Sequence, residues 1–192
     1  MTNDEIPMTK QMPGESKVMD IPALGMYFFL AGEAMFFVGL LGSFVVLESA
    51  GGQHQVFVNP SDALQPWYGI IGAIMLVVSS VAIVRDWFPG KCIAAVAAIS
   101  FLTFEIDQWK ILLANQDGPW SNNFFACYFL FTMVHFLHLI VGIVVLLWFL
   151  IRPTPGPEVL QRRGRIPAPL QMYWHFFNAT GVLGFFVLYF VR

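Results

Sequence analysis

Five long stretches of continuous apolar residues, near positions 24–47, 67–84, 91–113, 124–151 and 171–191, are separated by segments rich in proline, glycine and charge. The apolar positions run on without a break instead of alternating every second residue, which predicts helices and excludes membrane strands. Each run approaches the roughly 20 residues that a helix needs to cross about 30 Å of hydrocarbon, although the second is short and the third ends in polar residues. The expected fold is all-α: an integral membrane bundle of five transmembrane helices, residues 24–191, behind a polar N-terminal segment, residues 1–23. Composition agrees, because a chain with 57% hydrophobic and 11% charged residues has too little polar surface to cover a soluble globule.

The connections carry the topology. "ESAGGQHQVFVNPSDALQP", with His54, joins the first two runs, while "RDWFPGK" reads as a tight turn in which Pro89 and Gly90 stop continuation and make the second and third helices antiparallel neighbours. "RPTPGPEVLQRRGRIPAP" is rich in arginine, and its five prolines favour an extended, polyproline-like backbone. Lys10, Lys17, Arg85, Lys91, Arg152, Arg162, Arg163 and Arg165 fall on one side of the bundle, against Lys110 and Arg192 on the other. That bias predicts a cytoplasmic N-terminus and a periplasmic C-terminus. The first apolar run is too long for a cleaved signal, so none is expected. A net charge of −2 points away from nucleic acid. Cys92 and Cys127 would lie most of a bilayer apart and are expected to be free thiols.

Polar residues inside the apolar runs are the candidate site. Glu33 lies near the middle of the first helix, where an exposed carboxylate would cost on the order of 3 kcal/mol, so it must face protein. His135 and His138, three apart, project within about 60° of one another on the fourth helix, placed to bond across to Glu33 or to ligate a metal. A two-histidine, one-glutamate metal site from Glu33, His135 and His138 is conceivable. A transmembrane haem is disfavoured, because its two imidazoles usually come from different helices. Glu105 and Gln108 share a face of the third helix and need an internal partner, whereas Asp107 and Lys110 read as an interfacial pair. Trp174, His175 and Asn178 open the fifth helix near the interface. Gly32, Gly39 and Gly42 form a stripe on the first helix, expected to serve packing within this chain, with docking of another subunit as the second reading. No haem-attachment motif, phosphate loop or nucleophile elbow is present, and the residues alone favour a non-catalytic bundle with a buried polar cluster.

Four segments in order, "GEAMFF" (Glu33), "FEIDQW" (Glu105, Gln108), "YFLFTMVHFLHLIVG" (His135, His138) and "YWHFFN" (Trp174, His175, Asn178), give the chain a wider likeness. It resembles subunit III of the haem-copper respiratory oxidases, in the short five-helix bacterial form, and also the similar accessory protein of nitric oxide reductases. The resemblance implies a subunit in the bacterial inner membrane, with no catalytic, cofactor-binding or metal-ligating residue of its own. The haem and copper would sit in the partner, catalytic subunit I. The implied role is to stabilise subunit I alongside other oxidase subunits, bind phospholipid and support proton uptake during oxygen reduction. Glu33, His135, His138, Glu105, Gln108, Trp174, His175 and Asn178 would then be buried polar or lipid-cleft residues. From another class, an independent haem or metal membrane enzyme remains the competing reading.

Overall fold

The computed structural model describes residues 21–50, 64–84, 88–151 and 166–190. These form five helices, α1 (Ile21–Ala50), α2 (Pro66–Val84), α3 (Phe88–Ala114), α4 (Asn123–Ile151) and α5 (Ala168–Phe190). Their ends fall within three residues of the apolar runs, since in hydrocarbon the helix must continue as long as its backbone has no other partner. Helices α1 to α4 are long and apolar enough to cross a membrane. The 23-residue α5 has the length, but Gln171, His175, Asn178 and Thr180 dilute its apolar content.

One expected break is not a break. Pro89 and Gly90 lie in the first turn of α3, which begins at Phe88; proline is tolerated there because the first amides of a helix have no intrahelical acceptor to lose. Arg85, His54 and the arginines from Arg152 to Arg165 lie outside the described residues. The link between α3 and α4 is fixed by local hydrogen bonds. Gln116 takes a left-handed conformation, φ 65°, and Asp117 N donates to Leu112 O at 2.9 Å while Gln116 N donates to Leu113 O at 3.2 Å. That is a Schellman closure, built on glutamine where glycine is usual. Asn122 Oδ1 then accepts from Phe125 N at 3.0 Å and caps α4.

Helix α5 packs against α1, α2 and α4; α4 also meets α1 and α3; α2 and α3 make the closest pair. The α2–α3 pair is antiparallel, as the sequence predicts: Ser79 Oγ donates to Ala94 O at 2.9 Å, Gly72 faces the Phe101 ring, and Tyr68 meets Phe104 edge-on. Buried Ala94, Ala95 and Ala98 let the backbones approach. On α5, glycine does the same work. A Cβ at Gly181 would lie 2.6 Å from the His135 ring, and one at Gly184 would overlap Phe131. The α1 glycines behave otherwise. Among the described residues a Cβ at Gly25, Gly32, Gly39 or Gly42 would meet nothing within 4 Å, so no described helix packs on the stripe, contrary to the first expectation. It lies on a helix whose Phe28, Met35 and Val38 are 74%, 79% and 69% exposed.

Two interior regions result. They are two sides of one continuous apolar cluster: helices α1, α4 and α5 enclose the first around Phe37, Phe131 and Phe177, and α2, α3, α4 and α5 enclose the second around Leu76, Phe101 and Leu188.

Candidate functional site

The first region contains Glu33. Its Oε2 lies 3.5 Å from His138 Nε2, and both side chains are only about a fifth exposed, 20% and 22%. The other ring nitrogen, Nδ1, is 2.8 Å from Val134 O on the preceding turn. A carbonyl only accepts, so Nδ1 carries a proton and Nε2 is left facing Glu33. Oε2 is buried and makes no regular hydrogen bond among the described residues. The contact is attractive only with a proton between the two groups, on the carboxyl or on the ring. The ring is held in place by its neighbours: it stacks on Phe177 with centroids 4.4 Å apart and planes 16° apart, and Phe37 meets it edge-on at 5.9 Å. Tyr173 OH donates to His138 O at 2.8 Å, tying α5 to the same turn of α4.

His135 does not join Glu33. Its Nε2 is 2.9 Å from Phe177 O, and its ring lies over Gly181 toward α2, stacked on Phe131. The two histidines therefore serve different gaps, and the three-residue metal site weighed from the sequence is not assembled: among the described residues no three His, Cys, Asp or Glu side chains gather as metal ligands.

The remaining candidates form separate links. Trp174 Nε1 donates to Ser79 Oγ at 3.0 Å, and Ser79 passes the chain on to Ala94 O, so three helices are joined through one fully buried indole. His175 Nδ1 pairs with Ser80 Oγ at 2.6 Å. Asn178 Nδ2 donates to Trp174 O at 2.7 Å; its Oδ1 has no partner among the described residues, and the residue lines an open apolar groove of about 460 Å³ between α2 and α5. Tyr128 OH donates to Glu105 Oε1 at 3.2 Å, Trp109 Nε1 donates to Thr132 Oγ1 at 3.1 Å, and Gln108 is 2% exposed. Lys110 Nζ donates to Asp107 Oδ1 at 2.9 Å, both well exposed, as an interfacial pair would be. Cys92 and Cys127 are free.

Sequence reasoning missed Ser79, Ser80, Tyr173, Tyr128 and Thr132. The paired serines did leave a signal, being the one polar break inside "IIGAIMLVVSSVAIV", and polar side chains within a membrane span act by default as interhelical partners. The tyrosines left none, because a tyrosine near a helix end reads equally well as an interfacial anchor.

Chemically, the Glu33–His138 pair can hold one proton within a ring of aromatic side chains. Trp174–Ser79, His175–Ser80, Tyr128–Glu105 and Trp109–Thr132 hold helices together.

No family model matches the chain. Curated relatives do, along most of its length. The chain is 27% identical over 182 residues to cytochrome c oxidase subunit 3 of Thermostichus vulcanus, covering 88% of this chain and 87% of that protein. It is 26% identical over 180 residues to cytochrome c oxidase subunit 3 of Alkalihalophilus pseudofirmus, covering 86% and 84%, and 23% identical over 179 residues to cytochrome bo(3) ubiquinol oxidase subunit 3 of Pseudomonas putida, again covering 86% and 84%. The resemblance read from four short segments thus extends to whole proteins of the subunit III family.

Proposed function

We propose that this chain, a multi-pass membrane protein resembling oxidase subunit III along most of its length, is the non-redox accessory subunit of a haem-copper terminal oxidase in a bacterial inner membrane. It stabilises the metal-bearing subunit I, binds phospholipid and supports proton uptake during oxygen reduction. The carrying observation is the end-to-end likeness to proteins named as subunit 3. Relatives named for cytochrome c and for ubiquinol are both among them, so either donor is compatible with the reading.

The geometry supports a structural subunit. His135 and His138 each commit one ring nitrogen to a backbone carbonyl, and the Trp174 indole, the His175 ring and the Asn178 amide nitrogen on α5 are hydrogen-bonded within the bundle. The same pairing supports a fifth crossing: 23 residues at about 1.5 Å each give roughly 35 Å, and of the side chains that lower the hydropathy of α5, His175 bonds Ser80 of α2 while Asn178 and Thr180 bond back to carbonyls of α5 itself. Five crossings put the termini on opposite sides, and the basic bias places the N-terminus in the cytoplasm. The open glycine stripe of α1 supports contact with a partner helix, since small residues admit a neighbouring backbone at close range.

The test is purification of the native complex through a tagged copy of this chain in mild detergent. The reading expects a larger partner carrying haem and copper, oxygen consumption with a cytochrome or quinol donor, and faster loss of activity during turnover once the chain is stripped away. Recovery of a nitric oxide reductase catalytic subunit would move the chain to that complex. A lone chain that is coloured, metal-loaded and able to turn over substrate would overturn the accessory role.

A further inference from the structure

The second interior region, between α2, α3, α4 and α5, holds a partly open cavity of about 50 Å³ that plays no part in the Glu33–His138 contact. One wall is polar: Glu105 and Gln108 of α3, Tyr128, Thr132 and His135 of α4, and Tyr189 of α5. Gln108 is almost wholly buried at 2% exposure, and its Oε1 receives no hydrogen bond from any described group. Acyl chains offer no donor that could replace one. Two of the nearby hydroxyls are already directed elsewhere. Tyr128 OH donates to Glu105, and Thr132 Oγ1, which accepts from Trp109, turns its own proton toward Phe129 O at 3.4 Å. What Gln108 Oε1 lacks is a donor.

We infer that this cavity is a hydration site: it binds water, which donates to Gln108 Oε1 and to the Glu105 carboxyl and accepts in turn from the polar wall. The volume fits, because one water needs about 15 Å³ measured this way, so the space admits on the order of three. The chemistry fits as well. Cavities lined only by apolar side chains stay dry, whereas a bound water needs two to four polar partners, and this wall offers them. Water is also the smallest ligand that brings two donors. The site keeps Glu105 in contact with exchangeable protons deep in the bundle, and it does so whatever complex the chain serves.

The experiment uses the full chain, perdeuterated and ¹⁵N-labelled, in detergent micelles in ordinary water. Rotating-frame and laboratory-frame cross-relaxation between water and the Gln108 side-chain amide distinguish a bound water from simple proton exchange by the sign of the cross-peak. A dipolar cross-peak with the sign of a slowly tumbling molecule is expected, and it should vanish in Gln108→Leu. That variant should also unfold at a lower denaturant fraction, because leucine expels water that other groups still need. Absence of the dipolar cross-peak in the unaltered chain overturns the inference whether or not the variant folds. A more stable Gln108→Leu would likewise overturn it, since removing a carbonyl stranded in a dry cavity is a gain.

Discussion

Glu33 and His138 are 105 residues apart in the sequence and 3.5 Å apart in the bundle, and their coupling is measurable. Single substitutions do not isolate it, because Glu33→Leu removes a carboxyl from hydrocarbon, itself a gain, while stranding His138 Nε2. A double-mutant cycle of Glu33→Leu and His138→Phe cancels those terms; phenylalanine keeps the stack on Phe177 at 4.4 Å. Two unit charges 3.5 Å apart at an effective dielectric of 20 would attract by about 5 kcal/mol before any desolvation cost. A neutral hydrogen bond between membrane helices averages about 0.6 kcal/mol and reaches about 1.7. The long separation and the absence of regular hydrogen-bond geometry at Oε2 favour the smaller scale, so the expected coupling is about 1 kcal/mol. Glu33→Gln, whose amide can donate to Nε2, should stay within about 0.5 kcal/mol of the parent chain. The assay is reversible unfolding of the full chain in mixed micelles with rising SDS, read by tryptophan fluorescence. A coupling indistinguishable from zero would refute the contact; one well above 2 kcal/mol would show a charged pair.

Other expectations follow from particular contacts. Gly181→Ala, which drives a methyl to within 2.6 Å of the His135 ring and Leu76, should cost about 1–3 kcal/mol in the same unfolding assay. Gly39→Ala, with nothing within 4 Å, should leave the isolated chain within about 0.5 kcal/mol of the parent yet weaken recovery of the complex in the tagged purification. Ser79→Ala removes the acceptor of the buried Trp174 Nε1–H and should cost about 1–3 kcal/mol, with a shift in indole emission that a restored acceptor in Ser79→Thr would reverse. Gln116→Gly relieves a left-handed conformation that costs a side-chain-bearing residue about 1–2 kcal/mol, so its unfolding midpoint should rise.

The helices were legible because each apolar run has one physical use, and the Asp107–Lys110 pair was legible because its partners are three residues apart on one helix. Partnerships across helices were much less so. His135 and His138 share a face by spacing, yet that face straddles two gaps, and only the packing of α1 and α2 on either side decides that one ring goes to Phe177 O and the other toward Glu33. The α1 glycines carried the right signal for close approach, but nothing in a single chain says whether the approaching helix is its own. Gln108 read as polar and internal; that its carbonyl would open on a cavity depended on four helices at once.

Helix α1 is held mainly by α4 and α5, which are synthesised after α2 and α3, and has little contact with the α2–α3 pair made between them. Its carboxyl can meet no histidine on α4 until more than a hundred further residues have been synthesised. During that interval the first helix sits in the bilayer without its eventual neighbours, and its glycine flank is open to whatever the insertion machinery or an early-arriving subunit presents. Assembly of the complex is therefore free to begin on this helix before the chain behind it has finished folding.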